Sequence, residues 1–189
     1  MTARWVVDAV VPNRDVTVVW EPISLFFKNE PEEDSDYYEP VLKTHKMLRV
    51  MEAARAEMGD SAIQELYFEY GRRIHHDKDR DFDIADALAA IGYDPAFAAA
   101  AEDESWDAEI RQRMDVGLEL AGDDIGTPIL ALDDKYGVKQ GYFGPVITRV
   151  PPLEDSLAMW DALIAMMDVQ GFWELKRTRT ERPEFGERP

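Results

Sequence analysis

The sequence reads as an α/β chain in which an all-helical block interrupts a smaller strand-containing core. Three observations carry that reading. A β-branched run, Val16-Thr17-Val18-Val19-Trp20, follows a helical opening. From about Tyr37 to Leu120 the apolar residues recur at helical spacing. After Gly122 the pattern switches to two strands joined by a turn, and then to one more helix.

Residues 2–11 predict a helix, because Trp5, Val6, Ala9 and Val10 share a face, and Pro12-Asn13 stops it. The run over 16–20 suits a strand buried on both faces, ended by Pro22. Such a strand after a helix implies a preceding strand to complete a βαβ unit, which the reading places ahead of Met1. Residues 29–39 are acidic and turn-rich and predict a solvated loop. Met47, Val50, Met51, Ala54 and Met58 form one helical stripe; Ile63, Leu66, Tyr67, Tyr70 and Ile74 form the next. Asp83 to Ile91 is a shorter helix ended by Gly92, and Pro95 to Ala101 is brief and Ala-rich. Trp106, Ile110, Met114 and Gly117 line a fourth helix. Ile129 to Leu132 and Val138 to Val146 predict an antiparallel hairpin. Pro151-Pro152 opens a helix that turns Leu157, Trp160, Leu163, Ile164 and Met167 inward.

Composition narrows the function. The chain has 39 acidic and 21 basic side chains, a net charge of −18 that argues against nucleic acid or an anionic membrane as partner. It holds no run of transmembrane length and no signal-peptide pattern, so the expected compartment is the cytoplasm. Zero cysteines excludes disulfides, thiolate catalysis and Cys-ligated metal within these residues. There is no phosphate loop and no dinucleotide fingerprint; Gly137, Gly141 and Gly144 are hairpin and turn glycines.

Several strings together resemble a known family. They are Gly126-Thr127-Pro128, Gly141-Tyr142-Phe143-Gly144-Pro145-Val146, Leu157-Ala158-Met159-Trp160-Asp161, and Phe172-Trp173-Glu174-Leu175-Lys176-Arg177-Thr178-Arg179-Thr180-Glu181. Tyr70-Gly71-Arg72-Arg73-Ile74-His75 and Ile23-Ser24-Leu25 add to them. The set resembles the DsbA-like mycothiol-dependent nitroreductase family over essentially the whole chain. The resemblance implies a thioredoxin-like fold with an inserted all-helical subdomain and its first β-strand missing. The core would be 1–30 and 121–175, the insertion 31–120, and 176–189 a basic extended tail. It implies that Gly126, Thr127 and Pro128 form the cis-proline loop that faces a reactive cysteine. Mycothiol is the implied thiol co-substrate, without metal or nucleotide. A low-molecular-weight thiol or a small electrophile is the implied partner. The exposed sheet edge also admits a homodimer.

The family's Cys-Pro-aromatic-Cys motif has no counterpart here, and Met1-Thr2-Ala3-Arg4-Trp5 is similar to the stretch that follows it. The reading therefore expects the nucleophile upstream of Met1, encoded in the genomic DNA, with a shortened relative as the other explanation. No catalytic residue is assigned within the chain. Serine or threonine cannot stand in for sulfur in disulfide exchange, so the chain alone is expected to lack thiol chemistry.

The remaining candidates divide by chemistry. The resemblance raises His75 as a groove residue that binds substrate or shuttles protons. It also raises Trp5 and Ser24 as substrate-binding positions. Adjacent His75 and His76 diverge by about 100° on a helix, so they do not form a metal pair. His45 has no partner by spacing and reads as a surface or packing residue. Ser24 shows no His–Asp arrangement, which leaves a hydrolase triad unsupported. Lys176, Arg177 and Arg179 are candidates for an anionic ligand, or for a latch onto acidic surface such as 30–39. Two other functions stay open: a kappa-class glutathione transferase or 2-hydroxychromene-2-carboxylate isomerase relative, and a non-catalytic thioredoxin-like binding module.

Overall fold

The computed structural model describes residues 1–189 and divides them into two compact units. One unit comprises Met1–Val18 with Val116–Gly186; the other comprises Val19–Asp115 with Glu187–Pro189. Secondary structure is mostly helical, with one two-stranded sheet.

In the first unit the chain opens with α1 (Thr2–Trp5), which widens into a π-helical segment over Val6–Val10 and tightens into a 3₁₀ turn over Val11–Asn13. Pro12 sits in that last turn, and Arg14 is already extended. The sheet is an antiparallel hairpin of β1 (Ile129–Asp133) and β2 (Lys139–Phe143), in register Ile129 to Phe143 and Asp133 to Lys139. The turn is closed by the Asp134 carboxylate, which accepts from the backbone N–H of Tyr136 and Val138, and by Gly137 at positive φ. The last helix, α7 (Leu153–Met167), starts directly after Pro151-Pro152. Trp5, Val6, Ala9, Val10 and Trp160 form this unit's core, with Leu130, Leu132, Leu163 and Ile164 packed around it.

The second unit is all-helical. Its central element is α3 (Tyr38–Met58), preceded by a short α2 (Leu25–Asn29) and followed by α4 (Ser61–Gly71), whose end widens over Arg72–His76. Next come α5 (Ile84–Ala90) and 3₁₀ turns over Pro95–Glu102 and Glu104–Trp106. Asp83, Asp94 and Asp103 each cap the following turn by accepting a backbone N–H two residues on. Met47, Val50, Met51, Ala54, Ile63, Leu66 and Tyr70 are buried together, whereas Met58 and Tyr67 of the same stripes are exposed. The boundary between the units falls within α6 (Asp107–Ala121).

One expected strand does not form. Val16–Trp20 has no regular secondary structure and belongs to no ladder, since β1 and β2 pair only with each other. Nor is it buried on both faces. Val16, Val18 and Trp20 are half-buried, while Thr17 is exposed and Val19 is 64% exposed. The β-branched side chains favour extended backbone, but a strand exists only where a neighbour satisfies its N–H and C=O groups. The second strand of the hairpin is also shorter than expected, stopping at Phe143, where Gly144 at positive φ and a cis Gly144-Pro145 bond turn the chain away.

Candidate functional site

The Thr127-Pro128 peptide bond is cis. The loop is positioned by the part of α6 from Val116 onward and by the hairpin, all from the same unit. Ile129 Cδ1 lies 3.3 Å from where a Cβ on Gly117 would stand, and a Cβ on Gly141 would lie 2.6 Å from Leu120 Cβ. The end of α6 therefore sits flush on both strands, and glycine is needed for that approach. Gly122 leaves the helix at φ +89. Gly126 then passes over the Phe143 ring, 3.4 Å from a Cβ built on it. The ladder starts at Ile129 opposite Phe143, and the Gly144 N–H donates to the Pro128 carbonyl at 2.8 Å. Thr127, just ahead of that bond, lies outside the ladder, and Gly126 and Thr127 are both exposed. The result is a short exposed stretch, bent at Thr127, that lies outside the ladder.

Trp5, in the same unit, is fully buried. Its indole N–H donates to the Ser156 carbonyl at 3.2 Å, and its ring packs against Trp160 with centroids 5.9 Å apart. Thr2 Oγ1 donates to the Pro145 carbonyl at 2.6 Å, which ties the first helix to the second cis-proline segment.

In the helical unit, Ser24 sits in a chain of hydrogen bonds that sequence spacing did not reveal. Ser24 Oγ is 3.0 Å from His45 Nδ1, and His45 Nε2 is 3.0 Å from Asp107 Oδ1. Arg49 then clamps Asp107 through Nε at 2.7 Å and Nη2 at 2.8 Å. This corrects one expectation, since Ser24 does have a His–Asp arrangement; of the two readings of His45 the packing one holds, with the ring buried and bonded through both nitrogens. The arrangement is not that of an activated nucleophile. Ser24 is 0% exposed, and its Oγ accepts the Phe27 N–H at 3.1 Å as the cap of α2. A nucleophile needs access to substrate and a free line of attack.

Hydrogen-bond inventory fixes the state of the imidazole. An ionised Asp107 only accepts, so His45 Nε2 carries a proton and donates. The lowered pKa of the ring favours its neutral form, in which Nδ1 is then unprotonated and accepts the Ser24 hydroxyl. Burial pushes the His45 pKa below its ordinary value, with Arg49 and Arg111 adding to the effect against the pull of Asp107. Burial opposes the Asp107 carboxylate, but Arg49 and His45 hold its pKa below the usual range. Phe26 and Phe27 cover the imidazole, and the Arg111 guanidinium lies 3.6 Å from the centre of the Phe27 ring.

His75 is exposed in the widened end of α4. Its carbonyl accepts from Lys78 Nζ, and partial desolvation together with Lys78 and Arg80 lowers its pKa. Lys176, Arg177 and Arg179 are exposed on a segment without regular secondary structure. The ion pairs near that end of the chain use other residues, Glu181 and Glu184 with Arg149, and Arg188 with Asp77. No group of three or more His, Asp or Glu side chains is arranged to hold a metal ion, and no helix is long and apolar enough to cross a membrane.

An α/β chain with an exposed cis-proline edge beside a hairpin is consistent with the oxidoreductase class that the sequence strings resemble. The Rv2466c-like family model, described as mycothiol-dependent nitroreductase Rv2466c, matches residues 1–177, and the chain belongs to that family.

Proposed function

We propose that this chain is the thiol- and substrate-facing part of a DsbA-like, mycothiol-dependent nitroreductase with a thioredoxin-like core, and that its 189 residues alone do not turn over thiol chemistry. The observation that carries this is an exposed edge ahead of a cis proline, within a family match, in a chain with no cysteine. Disulfide exchange runs through a thiolate attacking sulfur, and a hydroxyl does not replace it. The sulfur must therefore come from outside these residues. Mycothiol, when bound, supplies a thiol that carries reducing equivalents.

The residues present fit such a guest in one respect. The Gly126-Thr127 edge presents unladdered backbone N–H and C=O groups that an extended thiol adduct can pair with, as an added strand does. In this reading Gly126, Thr127 and Pro128 contact the thiol. Trp5 holds the first helix from within, and Ser24 fixes α2. His75, with its lowered pKa, is a neutral imidazole near pH 7 and suits proton handling on the helical unit. The expected compartment is the cytoplasm.

Steady-state reduction of a nitroaromatic by the chain with mycothiol tests the proposal. Turnover should match the thiol-only background, and sustained turnover above it would contradict the reading. The missing cysteine also favours a second reading, a binding module without chemistry. The two part on specificity: the first expects binding of a nitroaromatic beside mycothiol, the second binding of the thiol alone.

A further inference from the structure

Glu52 lies within α3, and its side chain is only 1% exposed. Two guanidiniums approach it, and both approach the same oxygen. Oε2 is 3.4 Å from Arg55 Nη1 on the same helix and 3.3 Å from Arg113 Nε on α6. Oε1 makes no hydrogen bond, and neither do Arg55 Nε and Arg113 Nε. Of the four buried side-chain nitrogens and oxygens without a hydrogen bond, three therefore stand in this one cluster.

The surroundings of the two guanidiniums are acidic. Arg113 donates through Nη1 to Glu21 Oε2 at 3.1 Å, and its Nη2 lies 2.7 Å from Glu109 Oε1. Arg55 Nη1 is 3.4 Å from Glu21 Oε2 and Nε is 3.5 Å from Asp60 Oδ1, while Nη2 donates to the Trp20 carbonyl. The charged groups around Glu52 are thus Arg55 on its own helix, Arg113 and Glu109 on α6, and Glu21 ahead of α2, with Asp60 on Arg55. Four carboxylates share two guanidiniums.

The contrast with Asp107 is geometric. Both Asp107 oxygens are bonded, by His45 and by Arg49, so a proton there would displace a donor. A proton on Glu52 Oε1 displaces nothing and reduces the excess of negative charge. Burial pushes the Glu52 carboxyl above its ordinary range; Arg55 and Arg113 pull against that, and Glu109 and Glu21 add to it.

We propose that Glu52 is a buried proton-binding site that sets how tightly Arg113 holds the first half of α6 to α3. When a proton from solvent bonds to Oε1, the carboxyl becomes neutral and the attraction drawing Arg113 Nε inward ends. The two outer amines of Arg113 keep Glu21 and Glu109. Arg55 stays in place, because its side chain is 6% exposed and remains bonded to the Trp20 carbonyl. The two states differ in Arg113, which is 27% exposed and is the guanidinium that turns toward water. Release of the proton as pH rises draws it back.

Carboxyl-carbon and arginine Nε–Hε shifts of the labelled full chain, followed by NMR from about pH 4 to about pH 8, test this. Glu52 should titrate above the ordinary 4.5, and the Arg113 signal should move with the same midpoint. Glu52→Gln keeps the side chain's size without its charge, and in it the Arg113 signal should lose that transition. Arg113→Gln should raise the Glu52 midpoint by about one pH unit or more, since it removes an opposite charge. Glu21→Gln, at an exposed position, should lower it, since it removes a like charge. These two shifts are read without the Glu52 variant, so the test survives its failure to fold. A Glu52 midpoint at or below 4.5, a midpoint indifferent to Arg113→Gln, or an Arg113 transition that persists in Glu52→Gln would overturn the proposal.

Discussion

The imidazole of His45 is buried and bonded through both nitrogens, and its neighbours decide its chemistry. With Nε2–H given to Asp107 and Nδ1 accepting from Ser24, a second proton on the ring would displace the Ser24 hydroxyl from its acceptor. The folded pKa lies below 6.5, so as pH falls the unfolded chain takes up this proton first. The site's contribution to stability is complete above pH 6.5 and is lost progressively as pH falls toward the folded value. Urea midpoints measured on either side of pH 6.5 should show that fall. His75 shifts in the same direction, so the fall should survive His75→Asn and shrink in His45→Asn; an unchanged slope in the latter would refute the assignment. Ser24→Ala removes a helix cap and orphans Nδ1, and should cost about 1–3 kcal/mol in the same assay. Trp5→Ala should cost about 3–5 kcal/mol, and Trp5→Phe less, because it keeps most of the packing on Trp160. Ser24 stood out through the family resemblance, but its link to His45 and Asp107 was not legible in the sequence. Ser24 and His45 are 21 residues apart, and His45 and Asp107 are 62 apart, so no local spacing rule links them.

Among the elements, the junction of α6 with the hairpin sets the position of the cis-proline loop. Gly141→Ala would put a methyl 2.6 Å from Leu120 Cβ, an atom held by the helix backbone rather than at the end of a flexible chain. A loss of about 1–3 kcal/mol is expected from such overpacking, measurable as a drop in denaturation midpoint. Gly126→Ala is the control. Its methyl meets the Phe143 ring at 3.4 Å, and the variant should lie within about 0.5 kcal/mol of the parent. The long helices were legible because 3.6-residue periodicity over many turns outweighs local noise, and the hairpin because Asp134 and Gly137 mark its turn. Val16–Trp20 was misread because propensity describes a residue's preference for extended backbone, not the presence of a partner strand. The five-residue α2 was missed because it spans too little sequence to show a period, although Ser24 was already in place as its cap.

Across the whole molecule, the sequence strings that resemble the nitroreductase family agree with a family match covering residues 1–177, while the structure divides into units whose edges lie at Val18, Asp115 and Gly186. The tail past Thr180 is fastened by modest contacts: one backbone hydrogen bond to Thr148, the Arg4 guanidinium to the Phe185 carbonyl at 2.9 Å, and exposed ion pairs to Arg149 and Asp77. Exposed pairs contribute about 0–1 kcal/mol each, so removing residues 181–189 should lower stability by no more than about 3 kcal/mol, as thermal melting would show. The central claim rests on the Gly126-Thr127-Pro128 edge as the contact for a thiol guest. Titration of the isotopically labelled chain with mycothiol, read as backbone amide shifts, tests it most directly. Saturable shifts centred on Gly126, Thr127 and the facing Phe143–Gly144 backbone are expected. Shifts confined to other surfaces, or none at saturating thiol, would contradict it.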